Sequence, residues 1–104
     1  MAQLSKNENT IRFTGPLTIQ TVGKLEEPVQ QSIEIMAAEK VIFDFSAVST
    51  IDTVGVAFLD EMQAFARKQD KKIYYQNGSS AVQETITDFT TLNLKEIQPG
   101  RLPG

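Results

Sequence analysis

The sequence predicts an α/β domain in which about three to four helices cover a mixed sheet of about four to five strands. Three features of the 104-residue chain predict this class. Two strand-like segments come first, helical and strand-like segments then alternate, and the segment Val41–Phe45 is almost wholly apolar. An apolar run of this kind is typical of a strand with both faces covered, so helices are expected to pack on the sheet.

The first two strands are expected to form a hairpin. Residues Thr10–Thr14 alternate apolar and polar side chains, as a half-buried strand does, and Gly15-Pro16 then interrupts the pattern. The short segment Leu4–Lys6 is placed beside this strand, across a turn at Asn7–Asn9. The sheet is therefore expected to begin with two neighbouring strands.

The first helix is expected from about Thr21 to Ala38. Apolar side chains recur there at helical spacing, namely Val22, Leu25, Val29, Ile33 and Met36. Pro28 lies inside this pattern and has no N–H group to donate within a helix. It predicts either a kink or an irregular first turn.

A strand and a long helix follow. The apolar strand is expected over Lys40–Ser46, a polar loop over residues 46–53, and an amphipathic helix over Thr53–Gln69. The buried stripe of this helix is predicted to consist of Phe58, Leu59, Met62, Phe65 and Ala66.

The last part of the chain predicts a strand over Lys72–Gln76, closed by a turn at Asn77-Gly78. The segment Ser80–Gln83 fits a capping box, and Val82, Ile86 and Phe89 would share one face of the helix that it opens. A short final strand is expected at Leu94–Ile97. Residues 1–98 are predicted to form a single domain, and residues 99–104 a flexible tail or linker.

The composition excludes several classes of active site. The chain has no cysteine and no histidine, so thiolate nucleophiles, imidazole bases and zinc sites built from these residues are impossible. No pair of acid and base groups is evident, and we expect no enzymatic activity, no cofactor and no metal. The net charge of −3 and the scattered basic residues argue against a nucleic-acid surface.

The composition also predicts where the protein works. The segment Met1–Asn9 has no apolar stretch of the kind found in signal peptides. No apolar run approaches the roughly 20 residues that span a bilayer. We therefore expect a cytoplasmic protein that does not itself insert into the membrane.

The most informative motif is Asp52-Thr53-Val54-Gly55, between the apolar strand and the long helix. It places the hydroxyl of Thr53 at a helix N-terminus, where unpaired N–H groups and the helix dipole favour an anion. Asp52 and Thr53 either cap the first turn or form a contact surface that phosphorylation of Thr53 switches. Gly55 either allows a close approach of backbone or is simply tolerated at the helix start.

Asp44 interrupts the apolar strand. A buried carboxylate without a partner is costly, so Asp44 is expected to reach the polar end of the strand or to accept hydrogen bonds from residues 46–53. The alternative is that Asp44 and Asp52 together bind a metal or accept a phosphoryl group. No further acidic residue or lysine near by in the sequence supports that alternative.

The order of these segments resembles the STAS domain, a family named for sulphate transporters and anti-sigma factor antagonists. The resemblance covers nearly the whole chain and rests on four segments: Phe13–Thr18, Val41–Ser46, Ile51–Gly55 and Lys72–Tyr75. It implies a STAS-like single domain, a compact sheet covered by helices, with no catalysis of its own.

The resemblance implies one of two main roles. In anti-sigma factor antagonists, the residue that matches Thr53 is phosphorylated by a kinase that is also the anti-sigma factor, and phosphorylation breaks the complex. In Mla-type transporters of phospholipids, a small cytosolic STAS subunit contacts the ATPase subunit of an ABC transporter through the matching loop and helix. A STAS segment cut from a larger permease is a third possibility.

Details of the sequence are more similar to the lipid-transport subunits, in the segments Leu17–Val22, Asp52-Thr53 and Ala64–Gln69. The chain departs from the antagonist pattern Asp-Ser-Ser-Gly-Leu-Gly at Thr53-Val54 and at Val56-Ala57. We therefore expect an accessory subunit that binds the ATPase and permease subunits of an ABC transporter at the inner face of the membrane. The alternative partner is an anti-sigma factor kinase.

The expected partner-binding surface joins the motif to one stripe of the following helix. This stripe is the one that the predicted buried face does not use, and an exposed valine opens it. The residues predicted to contact the partner are Asp52, Thr53, Val54, Gly55, Val56, Asp60, Gln63 and Arg67. Changing Thr53 to Glu or Asp60 to Arg is expected to weaken partner binding and to leave the fold intact.

Overall fold

The computed structural model describes residues 3–88 and 95–96 of the chain. This part of the chain contains five strands and three helices. In chain order the elements are β1 Gln3–Asn7, β2 Thr10–Leu17, α1 Val22–Ile35, β3 Lys40–Ile51, α2 Thr53–Lys68, β4 Lys72–Gln76, α3 Ser80–Asp88 and β5 Lys95–Glu96.

The strands form one mixed sheet in the order β1-β2-β3-β4-β5. β1 runs antiparallel to β2, whereas β2, β3, β4 and β5 are parallel to one another. The predicted α/β class is thereby confirmed. Because β2 and β3 are parallel neighbours, their carboxyl ends lie side by side, and the residues that follow them meet at one edge of the sheet.

The predicted hairpin at the start of the chain is confirmed. Leu4 lies opposite Phe13, and Asn7 lies opposite Thr10, in an antiparallel register. Glu8, in the connecting turn, has a φ of 50°, a left-handed conformation that is used in tight turns. The polar turn between two short alternating segments was therefore sufficient to predict this pairing.

The second strand is longer than the predicted Thr10–Thr14, because it continues through Gly15-Pro16 to Leu17. Gly15 has a φ of 93°, which glycine adopts without a steric penalty. The register against β3 shifts between Gly15 and Leu17, as it does at a β-bulge. Since proline is tolerated at bulges, Pro16 does not terminate the strand.

The third strand is also longer than predicted and extends over Lys40–Ile51. The expected loop over residues 46–53 is wrong, because this segment pairs in parallel with β2, for example Val48 with Gly15. A single residue, Asp52, therefore separates the end of β3 from the start of α2. The polar residues that suggested a loop are exposed on the strand: Ser46, Ser49 and Thr50.

The helices and the sheet share one hydrophobic core. The ring centroid of Phe13 lies 5.1 Å from that of Phe43 and 6.3 Å from that of Phe58 on α2. These contacts between β2, β3 and α2 fix the helix above the two strands. The predicted stripe of α2 is confirmed, with Phe65 half-buried and the other four residues buried, namely Phe58, Leu59, Met62 and Ala66.

The first helix is continuous through Pro28 and ends at Ile35, before the predicted end at Ala38. Pro28 is exposed, and its carbonyl oxygen accepts a 2.9 Å hydrogen bond from the hydroxyl of Ser32.

No helix in the described part of the chain is long and apolar enough to cross a membrane.

The third helix begins at Ser80, but the preceding residue caps it. The hydroxyl oxygen of Ser79 accepts a 3.2 Å hydrogen bond from the N–H of Val82. The side chain of Gln83 donates instead to the carbonyl oxygen of Gly78, at 2.8 Å. The predicted capping box at Ser80 is therefore wrong by one residue. The predicted final strand is confirmed at Lys95–Glu96, within Leu94–Ile97, and the predictions for Phe89 and for residues 99–104 lie outside the described residues.

Candidate functional site

Asp52 joins the carboxyl ends of β2 and β3. One carboxylate oxygen, Oδ1, accepts a 2.8 Å hydrogen bond from the N–H of Gly55 and so caps α2. The other, Oδ2, accepts a 3.1 Å hydrogen bond from the N–H of Ile19, in the turn between β2 and α1. The N–H of Asp52 donates to the carbonyl oxygen of Leu17 at 3.2 Å. The interpretation of Asp52 as an N-cap is confirmed, and its second hydrogen bond fixes the neighbouring turn.

These hydrogen bonds also determine the ionisation of Asp52. Partial burial acts to raise the pKa of its carboxyl, but the N–H donors of Gly55, Ile19 and Val54 outweigh that effect and lower the pKa below its usual value. The carboxylate is therefore charged at neutral pH. A negative charge stands at the N-terminus of α2 before any group is added to Thr53.

Gly55 allows the helix to approach the end of β2. It is buried, and a β-carbon at this position would lie 2.8 Å from Cγ1 of Ile51 and closer still to the backbone of Leu17. No side chain fits there without a shift of the strand end. The interpretation that Gly55 allows close backbone approach is therefore confirmed.

Thr53 is the first residue of α2, and its side chain is exposed. Its hydroxyl makes no hydrogen bond to any residue in the described part of the chain, because Asp52 supplies the cap instead. An exposed hydroxyl at this position is open to a kinase or to a partner protein. Val54, the next residue, is half-buried.

One side of α2 is exposed along the whole length of the helix. The residues given at the end of this paragraph form it, and they are called the exposed face of α2 below. Its residues recur at helical spacing, and two of them, Ala57 and Ala64, are small. Its charges are divided, with acidic residues in the middle and basic residues at the C-terminal end. The face consists of Thr53, Ala57, Asp60, Glu61, Ala64, Arg67 and Lys68.

Two residues of the predicted stripe do not belong to this face. Val56 is 3% exposed and Gln63 is 7% exposed, so the expectation of an exposed valine at the start of the stripe is wrong. The buried side of α2 is therefore wider than the predicted apolar stripe, and α1 packs against this helix in addition to the sheet. Asp60 and Arg67 are exposed as predicted, and the structure leaves Val56 and Gln63 as packing residues.

Asp44 is held separately from Asp52. Its carboxylate accepts hydrogen bonds from the N–H of Ser46, at 2.8 Å, and from the side chain of Gln76, at 3.5 Å. Burial acts to raise the pKa of this carboxyl, but these donors lower it overall. Asp44 thus has the hydrogen bonds expected of it, and no group of three or more acidic residues that suits a metal ion occurs in the described chain.

Ile19 is the residue that sequence analysis missed. Its side chain is 70% exposed, although its N–H is bonded to Asp52 and its turn lies beside the start of α2. The segment between β2 and α1 was too short to classify by periodicity. A large apolar residue between two polar neighbours, Thr18 and Gln20, was the only sequence feature that set it apart.

Comparison with known proteins identifies the family of this fold. The family model for the STAS domain matches residues 1–100. A comparison with curated protein sequences gives no match.

Several solved structures share the fold. The anti-sigma factor antagonist SpoIIAA in its unphosphorylated form has a TM-score of 0.68 and 16% identity, covering 94% of this chain and 88% of that one. The phosphorylated form of SpoIIAA, from Bacillus, has a TM-score of 0.65 and 16% identity, covering 94% and 92%. The murine anion transporter Slc26a9 has a TM-score of 0.67 and 19% identity, covering 83% of this chain but 14% of the transporter. At these identities the similarity shows the fold alone.

Proposed function

The chain belongs to the STAS domain family, and from this membership we propose that it works by binding another protein and regulating that protein. The proposed contact surface is the Asp52-Thr53 loop together with the exposed face of α2. The chain is proposed to be a binding module and not an enzyme. Its partner would determine where in the cell it acts, at the cytoplasmic face of a membrane if that partner is a transporter.

The observation that carries this proposal is the position of Thr53. Its hydroxyl is exposed at the N-terminus of α2, ahead of an exposed face on which small residues alternate with charged ones. A partner can approach the helix closely at Ala57 and Ala64 and can pair with the charges between them. Asp52 and Gly55 hold this end of the helix in place, so the surface is formed before the partner arrives.

We further propose that the partner is the ATPase subunit of a Mla-type ABC transporter of phospholipids, in complex with its permease. The support comes from the sequence: threonine follows Asp52 where antagonists more often carry serine, and the segments Leu17–Val22 and Ala64–Gln69 are similar to the transporter subunits. Binding of the STAS domain would support assembly or activity of the transporter.

A second candidate is an anti-sigma factor antagonist that phosphorylation of Thr53 controls. The observation in its favour is that the hydroxyl is exposed beside the helix N-terminus, where a phosphate is electrostatically favoured. The similarity of the fold to SpoIIAA is compatible with this candidate. The carboxylate of Asp52 would repel the added phosphate and so alter the contact surface.

Co-purification from the source cell tests the proposal. Tagged wild-type chain is expected to recover an ABC ATPase and its permease, identified by mass spectrometry. Thr53→Glu and Asp60→Arg should each reduce that recovery. Glu84→Arg is the matched control, because it reverses an exposed charge on α3, outside the proposed surface, and should leave recovery unchanged.

Other results would change the proposal in defined ways. Recovery of a serine/threonine kinase in place of the ATPase would contradict the transporter role and favour the antagonist role. That kinase should then transfer one phosphate from ATP to the wild-type chain and none to Thr53→Val. Equal recovery of partners by Thr53→Glu, Asp60→Arg and wild type would contradict the proposed surface itself.

A further inference from the structure

The turn at Asn77-Gly78 follows β4, and the proposed function does not use it. Asn77 has a φ of 64°, in the left-handed region that asparagine adopts more readily than most residues. Residues 77–79 lie between β4 and α3 and belong to neither element. The side chain of Asn77 is exposed, so water reaches its amide group.

The backbone nitrogen of Gly78 is the group placed to react with that amide. An asparagine side chain folds back easily onto the main chain that follows it. Glycine has no β-carbon, so no side chain hinders an approach to the Gly78 nitrogen. In the described part of the chain the N–H of Gly78 donates no hydrogen bond, whereas its carbonyl oxygen accepts a 2.8 Å hydrogen bond from the side chain of Gln83.

The side chain of Asn77 also interacts with Asp44. Burial acts to raise the pKa of Asp44, but hydrogen-bond donors lower it overall, and the Asn77 side chain is one of these donors. The others include the N–H of Ser46 and the side chain of Gln76. A carboxylate in place of the Asn77 amide has no proton to donate at neutral pH and would repel Asp44.

We propose that Asn77 is a site of spontaneous deamidation. The Gly78 nitrogen gives its proton to the solvent and attacks Cγ of Asn77, the bond between Cγ and Nδ2 breaks, and ammonia leaves. Water then opens the resulting cyclic imide at one of its two carbonyl carbons, which gives aspartate or isoaspartate. Water is the only other reactant, and the attack needs no enzyme because both groups belong to the same short segment.

The product changes the link between β4 and α3. Either product adds a negative charge beside Asp44, and isoaspartate also lengthens the main chain at residue 77. The helix that follows packs Val82 and Ile86 into the core, so a longer link would displace these side chains. The modified domain should therefore be less stable. The inference does not depend on which partner the domain binds.

Incubation of the purified chain in mildly alkaline buffer at physiological temperature tests the proposal. Peptide mapping by mass spectrometry should show the amide of Asn77 replaced by a carboxyl group, and an isoaspartyl methyltransferase should label the same peptide. Asn9 is the internal control, because the β-branched Thr10 follows it, and its amide should persist.

Gly78→Ala is the matched variant. It should slow the reaction severalfold, because the added methyl group hinders the attacking nitrogen. Circular dichroism should show it folded, since a β-carbon at Gly78 lies no closer than 3.4 Å to its neighbours, the nearest being Cγ of Gln83. Equal rates in this variant and in wild type would overturn the proposal, and so would an Asn77 amide that persists as long as that of Asn9.

Asn77→Asp tests the effect on stability, because it supplies the carboxylate without lengthening the main chain. Its urea midpoint at neutral pH should be lower than that of wild type. The difference should shrink when Asp44 is also changed to Asn, since the repulsion then disappears. A midpoint equal to that of wild type would contradict the proposed effect of the new charge on Asp44.

Discussion

The carbonyl oxygen of Leu17 lies 2.1 Å from the point that a β-carbon on Gly55 would occupy. The end of β2 and the first turn of α2 are therefore in direct backbone contact. The N–H of Asp52 donates to the same carbonyl oxygen, so Leu17 is fixed from two sides. The candidate surface depends on this contact, because it sets the distance between the Ile19 turn and Thr53.

Gly55→Ala should destabilise the domain by at least about 2 kcal/mol, because the added methyl group collides with backbone and not with a mobile side chain. Urea denaturation measures the change. Gly23→Ala is the control, since a β-carbon at Gly23, in the first turn of α1, meets no atom within 4 Å. That variant should be unchanged or stabilised by up to about 1 kcal/mol. Equal stability of both variants would contradict the close approach.

Lys71 closes the C-terminal end of α1. Its ammonium donates to the carbonyl oxygens of Ile33, of Glu34 at 3.3 Å and of Met36 at 2.6 Å. These carbonyl groups have few partners within a helix, and a cation at this end also interacts favourably with the helix dipole.

Lys71→Met should therefore lower the free energy of unfolding by about 1–2 kcal/mol, while it keeps the length of the side chain. Lys72→Met is the matched control, because Lys72 is exposed on β4, and its change should stay within about 0.5 kcal/mol. Thermal or urea denaturation measures the free energy of unfolding of both variants. If both lose the same amount, the hydrogen bonds of Lys71 to the end of α1 do not stabilise the domain.

Local patterns were enough to predict most of the fold. The alternation in Thr10–Thr14, the apolar run of β3 and the helical spacing in α1 and α2 depend on neighbouring residues, and each gave the correct element. Asp52 was recognised as a cap because the capping bond to Gly55 spans only three residues. Features of this kind are encoded within a few residues and can be read from one sequence.

Apart from the cap of α3 and the end of α1, the errors concern contacts between distant segments. The α2 pattern predicts one buried stripe and an exposed Val56, but the buried side of the helix is wider and includes Val56, because α1 as well as the sheet packs against α2. The polar end of β3 looked like a loop, but pairing with β2 keeps it extended. The bond from Asp52 to Ile19 joins residues 33 positions apart, and no local pattern in the sequence indicates it.

Thr53→Glu should leave the stability of the domain within about 1 kcal/mol of wild type. An acidic side chain at a helix N-terminus is favourable by about 0.3–1 kcal/mol, and repulsion from the adjacent Asp52 offsets that gain. Because the side chain is exposed, no packing is lost. Urea denaturation checks this expectation. If the free energy of unfolding falls by more than about 2 kcal/mol, weaker partner binding by this variant would be explained by unfolding and not by a changed contact surface.

Acid should destabilise the domain partly through Asp52. Its carboxyl has a lowered pKa in the folded state, so the folded protein binds fewer protons than the unfolded chain does as the pH falls. The stabilisation is complete above the unfolded pKa of about 3.9 and is lost as the pH falls through the lower folded value. Asp52→Asn cannot ionise, so it should be less stable than wild type at pH 7 and should lose less stability between about pH 4 and pH 2.

Urea denaturation at a series of pH values between about 2 and 7 measures this difference. Asp44→Asn provides an independent comparison, because the pKa of Asp44 is also lowered and its donors, Ser46 and Gln76, are not shared with Asp52. The effects of the two variants should therefore add in the double variant. If Asp52→Asn loses stability with acid as steeply as wild type, the hydrogen bonds from Gly55 and Ile19 do not stabilise the charged carboxylate. Asp52 would then not hold the Ile19 turn in position.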